Sequence, residues 1–295
     1  MKFGYYPGCS LSGTAKEFDL SLKETLSVLN TNLEEISDWS CCGASSAHIS
    51  SHLLAVALPA RNLIIARKQG LNDLVAPCAA CYNRLVTTQH ELKLDEKIRV
   101  KSEEILEEKY KDGLEICNLI QLFQKIGIER IKELKKINLN DLKAACYYGC
   151  LLLRPADITH FDDKEDPSSM EEIVKAAGAK TVDWNFKTEC CGASHSIPHV
   201  EIVEKLGKAI LDNAIKNGAD IIVTACPMCH ANLDMRQKNI IKHNPEQKSI
   251  PVLYLTQLLG IAFGIEYKKL GLNRHTIDPV PLLKEKTKKF AEAAA

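Results

Sequence analysis

Ten of the twelve cysteines in this chain form two copies of one pattern: a lone Cys after Gly, then Cys-Cys-Gly, then Cys-x-x-Cys. The first copy is Cys9, Cys41, Cys42, Cys78 and Cys81; the second is Cys150, Cys190, Cys191, Cys226 and Cys229. The gaps between the three parts are 31 and 35 residues in the first copy and 39 and 34 in the second. Any fold for this chain must therefore gather five distant thiols, and do so twice. Thiolate is the soft ligand that zinc and iron-sulfur clusters select, so the pattern points to two metal centres in one chain.

A disulfide framework is the plain alternative for so many cysteines. Such frameworks belong to short secreted chains with poor cores, whereas 295 residues at 45% hydrophobic content can bury the cores of two ordinary domains. The N-terminus MKFGYYPGC has no apolar stretch of the kind a signal peptide uses. The apolar run from Pro251 to Ile265 is shorter than a bilayer requires and contains Thr256 and Gln257. These features predict a cytoplasmic protein without a transmembrane segment. Lysine plus arginine number 38, equal to aspartate plus glutamate, and this leaves no cationic excess for the phosphates of a nucleic acid.

The two halves repeat more than their cysteines. Tyr6, Gly8 and Cys9 match Tyr147, Gly149 and Cys150, and Cys41-Cys42-Gly43-Ala44-Ser45 returns as Cys190-Cys191-Gly192-Ala193-Ser194. Ala66, Lys68, Gly70, Val75, Cys78, Cys81 and Leu85 recur 148 positions later as Ala214, Lys216, Gly218, Val223, Cys226, Cys229 and Leu233. Leu119-x-Gln121-Leu122 is echoed by Leu255-x-Gln257-Leu258 at an offset of 136, so the first half carries a 12-residue insertion after its Cys-x-x-Cys. Repetition at this period describes two modules and not a solenoid. The charged segment Ile131 to Lys143 reads as a helix end and connector, dividing the chain into an N-terminal module, 1–142, and a C-terminal module with a terminal arm, 143–295.

Within each half, short apolar runs bounded by Gly or Pro read as buried strands: Phe3 to Tyr6, Leu74 to Ala76, Ala144 to Tyr148 and Ile221 to Thr224. Helical periodicity alternates with them, as at Val203, Leu206, Ile210 and Ala214, with Gly218 where a C-terminal cap belongs. The alternation predicts an α/β fold, two duplicated modules with parallel strands. The cysteines then fall just past strand ends, where ligands gather in such folds.

Cys-x-x-Cys between a strand and a helix sets its sulfurs over the first helical turn, whose free N–H groups and positive dipole end favour thiolate. Alone it is ambiguous, since redox pairs and zinc knuckles use it too. Five thiols exceed by one what a tetrahedral zinc takes, and also what a cubane with one cysteine per iron needs. Neighbours such as Cys41-Cys42 do not readily form an unstrained disulfide, yet can hand two sulfurs to adjacent irons. Gly43 and Gly192 are expected to relieve crowding against inorganic sulfide there. A polynuclear cluster in each half is thus favoured over mononuclear zinc.

Gly8-Cys9-Ser10-Leu11, Cys41-Cys42-Gly43-Ala44 and Pro77-Cys78-x-x-Cys81, doubled, resemble the CCG-domain family over nearly the whole chain. That family includes the B subunit of heterodisulfide reductase from methanogens, which this two-module chain resembles most, and iron-sulfur subunits of glycolate, lactate, succinate and thiol:fumarate oxidoreductases. The resemblance implies two noncubane [4Fe-4S] clusters, each held by one cysteine quintet and facing the other across a cavity. It implies as substrate the mixed disulfide of coenzyme M and coenzyme B. It also implies partners: a ferredoxin-like C subunit, and a flavin-containing A subunit fed by a hydrogenase or formate dehydrogenase. Cleaving a disulfide takes two electrons and two protons, and paired one-electron carriers suit that need.

Other residues are candidates by position. His195, after Cys-Cys-Gly-Ala-Ser where the first half has Ser46, and His230, after Cys229 where it has Tyr82, are possible proton donors, with a structural role as the plainer reading. Arg154 and Arg84 are the arginines nearest to thiols and are candidates for the anionic groups of the implied substrate. Cys117 aligns with Leu253 and Cys146 with Tyr5, so both read as buried apolar thiols. His160, His199, His243 and His275 carry no motif. The tail from Thr276 to Ala295, with Lys284, Lys286, Lys288 and Lys289, reads as a solvated or partner-docked arm. Two rival functions stand: an electron-transferring subunit of a quinone-linked succinate/fumarate or hydroxy-acid oxidoreductase, and a zinc-binding structural or assembly protein.

Overall fold

In a computed structural model, which describes residues 1–44 and 47–287, the chain forms two four-stranded sheets whose strands are all parallel. The first comprises β1 (Lys2–Tyr5), β2 (Asn32–Glu35), β3 (Asp73–Val75) and β4 (Glu115–Cys117), ordered β2-β1-β3-β4. The second comprises β5 (Lys143–Tyr147), β6 (Lys180–Thr181), β7 (Ile221–Thr224) and β8 (Val252–Tyr254), ordered β6-β5-β7-β8. The inner strands are short, apolar and covered on both faces, as parallel strands under crossover helices must be. Register matches between the sheets: Tyr5 pairs with Val75 and Val75 with Cys117, as Cys146 pairs with Val223 and Val223 with Leu253. Cys117 thus takes the seat of Leu253 and Cys146 that of Tyr5, and both thiols are buried in the core.

In each sheet the chain winds outward in opposite directions from the central pair, β1 with β3 and β5 with β7. At such a reversal the connections leave a crevice beyond the strands' C-terminal ends. The helices flanking it have local causes. Val200–Lys216 buries Val203, Ile210 and Ala214 and stops at Asn217, after which Gly218 turns with φ +77°. The glutamine of the repeated Leu-x-Gln-Leu is a cap: Gln121 Oε1 accepts from Asn118 N at 3.0 Å and Gln257 Oε1 from Tyr254 N at 2.9 Å. The insertion in the first half lengthens this region into the helix Glu96–Leu106, capped by Asp95 and packed with Val56, Ala60 and Leu92 in a small satellite core.

One hydrophobic core runs through both halves. On the helix Lys16–Val28, Phe18 stacks on Tyr254 with ring centroids 4.2 Å apart, and Ser21 Oγ lies 2.7 Å from Thr256 Oγ1. Thr25 Oγ1 donates to the carbonyl of Thr256 at 2.9 Å. Beside the thiols, Asn83 Nδ2 donates to the carbonyls of Leu151 and Arg154 at 3.0 and 2.7 Å, and Tyr82 OH to that of Thr159 at 3.2 Å. Where it is described, the terminal arm packs on the rest of the chain by one side and leaves Lys284 exposed on the other. Its helix Val280–Lys286 buries Leu283 completely, and Lys286 pairs with Asp220 at 3.2 Å. Apolar residues on that helix outweigh its lysines; Lys288 and Lys289 lie outside the described residues, as do Ser45 and Ser46. Among the described residues no helix is long and apolar enough to cross a membrane.

The shared core has a measurable consequence. Phe18→Ala removes a fully buried ring from the seam and is expected to cost about 3–5 kcal/mol. Urea unfolding of the full chain, followed by far-UV circular dichroism, should show one transition moved to lower denaturant. Two separate transitions would contradict a core common to both halves.

Candidate metal centres

Every cysteine of the two quintets lies in the segments that follow the C-terminal ends of the first three strands of its sheet. Cys9 and Cys150 follow β1 and β5; the vicinal pairs lie on the loops after β2 and β6; the Cys-x-x-Cys pairs follow β3 and β7. Cys78 is the N-cap of the helix Ala79–Leu94 and Cys226 that of Pro227–Asp234, which places Cys81 and Cys229 in the first turns. The electropositive helix starts therefore point at the thiols, as the spacing predicts.

The sulfurs meet. Cys42 Sγ lies 3.4 Å from Cys81 Sγ, and Cys191 Sγ lies 3.5 Å from Cys229 Sγ. Gly43 N donates to Cys41 Sγ at 3.4 Å and Gly192 N to Cys190 Sγ at 3.3 Å. These separations are far beyond a disulfide bond, and all twelve cysteines are free thiols. Cys9, Cys41 and Cys190 reach the surface, Cys150 is half-buried, and the remaining ligand candidates are buried. The quintets adjoin each other: the helix Pro227–Asp234 packs on the segment Ser10–Thr14 that follows Cys9, and Asn83, beside Cys81, holds the carbonyl of Leu151, next to Cys150.

Crowded thiols share protons unequally. The hydrogen bond from Cys41 drives Cys42 down to about 3, and the one from Cys150 drives Cys190 down to about 6. Their partners Cys41 and Cys150 are pushed up by the same bonds and by burial. Such sets bind a cationic group well, since it removes the mutual repulsion between neighbouring thiolates. Two buried phenols hold the scaffold. Tyr6 OH donates to the carbonyl of Ser40 at 2.7 Å and Tyr147 OH to that of Glu189 at 2.6 Å. Each ties the residue just before a vicinal pair back to the end of a central strand, which explains why this tyrosine repeats.

Two repeated glycines are set by sulfur. A Cβ on Gly8 would lie 2.9 Å from Cys81 Sγ, and one on Gly149 would lie 3.0 Å from Cys229 Sγ; both have positive φ. Gly43 and Gly192 answer a different need from the one expected. Their φ is also positive, but a side chain there would strike Ala47 and Leu58, or Val203 and Leu206, so the crowding comes from the following helix and not from the sulfur side.

Of the other candidates, His195 is half-exposed on a short turn, Ala193–His195, close enough to favour the Cys190 thiolate. His230 is buried and bonded away from the thiols. Its Nε2 donates to the carbonyl of Val252 at 3.0 Å, its ring stacks on Tyr254 at 4.1 Å, and burial holds it well below the usual histidine range. His275 and Asp234, which carry no sequence signal, complete this latch: Gln257 Nε2 donates to His275 Nε2 at 2.8 Å, and Asp234 accepts from the backbones of Thr276 and Ile277 at 2.6 and 3.1 Å. Although His230, Asp234 and His275 present ligand atoms within 4.8 Å of one another, each is already engaged in the fold. Arg154 pairs with Glu165 at 3.2 Å, and Arg84 Nη2 donates to the carbonyl of Ala55 at 2.6 Å.

Comparison with known proteins gives the same two-part picture. A family model described as the cysteine-rich domain CCG matches twice, at residues 3–86 and 144–234. The 8-methylmenaquinol:fumarate reductase membrane anchor subunit of Wolinella succinogenes is 35% identical over 284 residues, spanning 95% of this chain and 99% of that protein. The B subunit of the ferredoxin/F(420)H(2)-dependent CoB-CoM heterodisulfide reductase of Methanosarcina acetivorans is 32% identical over 294 residues, 96% of each chain. The solved structure of a hypothetical protein from Helicobacter pylori matches with a TM-score of 0.74 at 15% identity over 93% of this chain. The chain spans about half of that protein, 51%, and the likeness is one of fold.

The glycine geometry is open to a controlled test. Gly149→Ala places a methyl group against Cys229 Sγ and should cost the second quintet its metal. Gly218→Ala imposes the same left-handed strain, about 1–2 kcal/mol, where nothing stands within 4 Å, and should leave metal content unchanged. Equal metal content in the two variants, measured on anaerobic protein, would mean that Gly149 has no part in shaping the site.

Proposed function

Because the chain belongs to the CCG, cysteine-rich domain family, we propose that it is an iron-sulfur subunit of a multisubunit reductase. In this reading each module, 1–142 and 143–295, holds one noncubane [4Fe-4S] cluster on its five cysteines. The donor set fits such a group: in each half the vicinal pair meets the Cys-x-x-Cys through sulfur, helix starts are aimed at the thiols, and glycine stands where a side chain would meet sulfur. When bound, the two clusters supply neighbouring one-electron carriers, which is what a two-electron substrate requires.

The observation that carries the reading is that each Cys-x-x-Cys helix packs against the segment bearing the lone cysteine of the other half, which sets the quintets side by side. A small molecule seated between them would be within reach of both. The substrate we favour is a mixed disulfide of the coenzyme M and coenzyme B type, whose reduction consumes two electrons and two protons. In this reading His195, half-exposed on the turn after the second vicinal pair, would deliver a proton, and Arg84 and Arg154 would exchange their present partners for anionic substituents of the substrate. Electrons would arrive from a ferredoxin-like subunit and, behind it, a flavin subunit supplied by a hydrogenase or formate dehydrogenase. A second reading is favoured by the 35% identity to the 8-methylmenaquinol:fumarate reductase subunit: the same paired carriers taking electrons from a quinol.

Anaerobic protein should contain about eight irons per chain with matching labile sulfide, whereas a zinc structural protein would contain about two zincs. Cys191→Ala should abolish the signal of one cluster and the turnover of substrate. Reduced viologen with the heterodisulfide, set against a menaquinol with fumarate and the partner subunits, separates the two readings by which pair turns over. Iron-free preparations, or a Cys191→Ala variant with both signals and activity intact, would refute the assignment.

A further inference from the structure

The duplicated helices that bear Cys-x-x-Cys differ in charge one turn past their second cysteine. Three residues after Cys81 stands Arg84; three residues after Cys229, at the offset of 148 that relates the two motifs, stands Asn232. The two positions are equivalent on their helices. Asn232 Nδ2 donates to the carbonyl of Cys191 at 3.0 Å and lies 3.7 Å from its Sγ, while its Oδ1 accepts from Ser196 Oγ at 2.9 Å. Arg84 is anchored by Nη2 on the carbonyl of Ala55 at 2.6 Å. Its Nε is buried without a hydrogen-bond partner, one helical turn past Cys81, whose Sγ meets Cys42 Sγ.

Cys42 and Cys191 occupy the same seat, 3.4 and 3.5 Å from Cys81 Sγ and Cys229 Sγ. The first seat therefore has a guanidinium on the adjoining helical turn, the second a neutral amide. The second set has His195 on the short turn after its vicinal pair. The remaining arginine of that helix end, Arg236, is turned to the carbonyl of Ser196 at 2.8 Å.

Resting on the iron-sulfur reading above, we infer that Arg84 makes the two centres unequal, so that the group held by the first quintet accepts an electron more readily than the one held by the second. Fixed charge and hydrogen bonds to sulfur are the levers by which a protein sets the potential of such a group, and a full charge outweighs an amide dipole at similar range. One electron from a low-potential donor then settles first on the N-terminal centre, which gives electron flow through the pair a direction. Arg84 is a positioning residue in this scheme and need not touch the substrate.

The experiment is a redox titration of anaerobic full-length protein followed by electron paramagnetic resonance, with iron measured in every variant. Two midpoint potentials are expected. Arg84→Gln should move only the more positive one, to lower potential, and Arg84→Lys should largely restore it. Asn232→Arg should raise the more negative one and narrow the gap; it decides the question alone if Arg84→Gln does not fold. Full iron content with both midpoints unmoved, or both shifted alike, would overturn the role of Arg84. Absence of iron would instead overturn the proposed function on which it rests.

Discussion

Ten thiols packed at two sheet ends cannot all ionise unless something cationic joins them. The protein's own positive groups are too few to do so: Arg154 pairs with Glu165, Arg84 is held on the carbonyl of Ala55, and His230 is turned away and held neutral by burial. What the fold does supply is weaker and directional. Helix starts carry Cys81 and Cys229, backbone N–H groups of Gly43 and Gly192 point at sulfur, and two phenols fix the vicinal loops. Such dipoles orient thiolates without neutralising them. The rest of the structure follows from holding that unstable arrangement rigid until a metal group relieves it.

Rigidity comes from making two modules into one body. Tyr254 lies between Phe18 of the first half and His230 of the cysteine-bearing helix of the second, with ring centroids 4.2 and 4.1 Å away. The tail closes the other side of that helix through Asp234 and His275. Asn83, next to the first Cys-x-x-Cys, holds the carbonyls of Leu151 and Arg154 and so shapes the loop that carries Cys150. The second centre is thus built partly by the first module. A core shared in this way suits a reaction space that has to stay fixed between the two quintets.

Much of this was readable from residue order. Local signals are the reason: strands such as Ile221–Thr224 are short apolar runs between turn residues, and the C-terminal turn of Val200–Lys216 is announced by Gly218. Cysteine spacing carried the quintets, because each part follows a strand end. Three things stayed hidden, the last two of them long-range. The role of Gln121 and Gln257 as caps needs the helix start to be known. The packing of the arm after Thr276 depends on Asp234, 42 residues earlier. The function of Gly8 and Gly149 depends on sulfurs at Cys81 and Cys229, which no periodicity connects to them.

Divergence between the copies beside the thiols falls where symmetry would be useless. After Cys-x-x-Cys the first half reads Tyr82-Asn83-Arg84 and the second His230-Ala231-Asn232. In the first half, Tyr82 and Asn83 reach outward to the other module; in the second, His230 and Asn232 turn inward to Val252 and Cys191. Two equal copies can offer the same sulfur cage, but they cannot both clasp each other through a single asymmetric seam. Once the seam commits the first copy's helix to the second copy's loop, the position one step further along is released from symmetry as well. A guanidinium on one side and an amide on the other is then allowed, and a pair of like centres becomes an ordered pair.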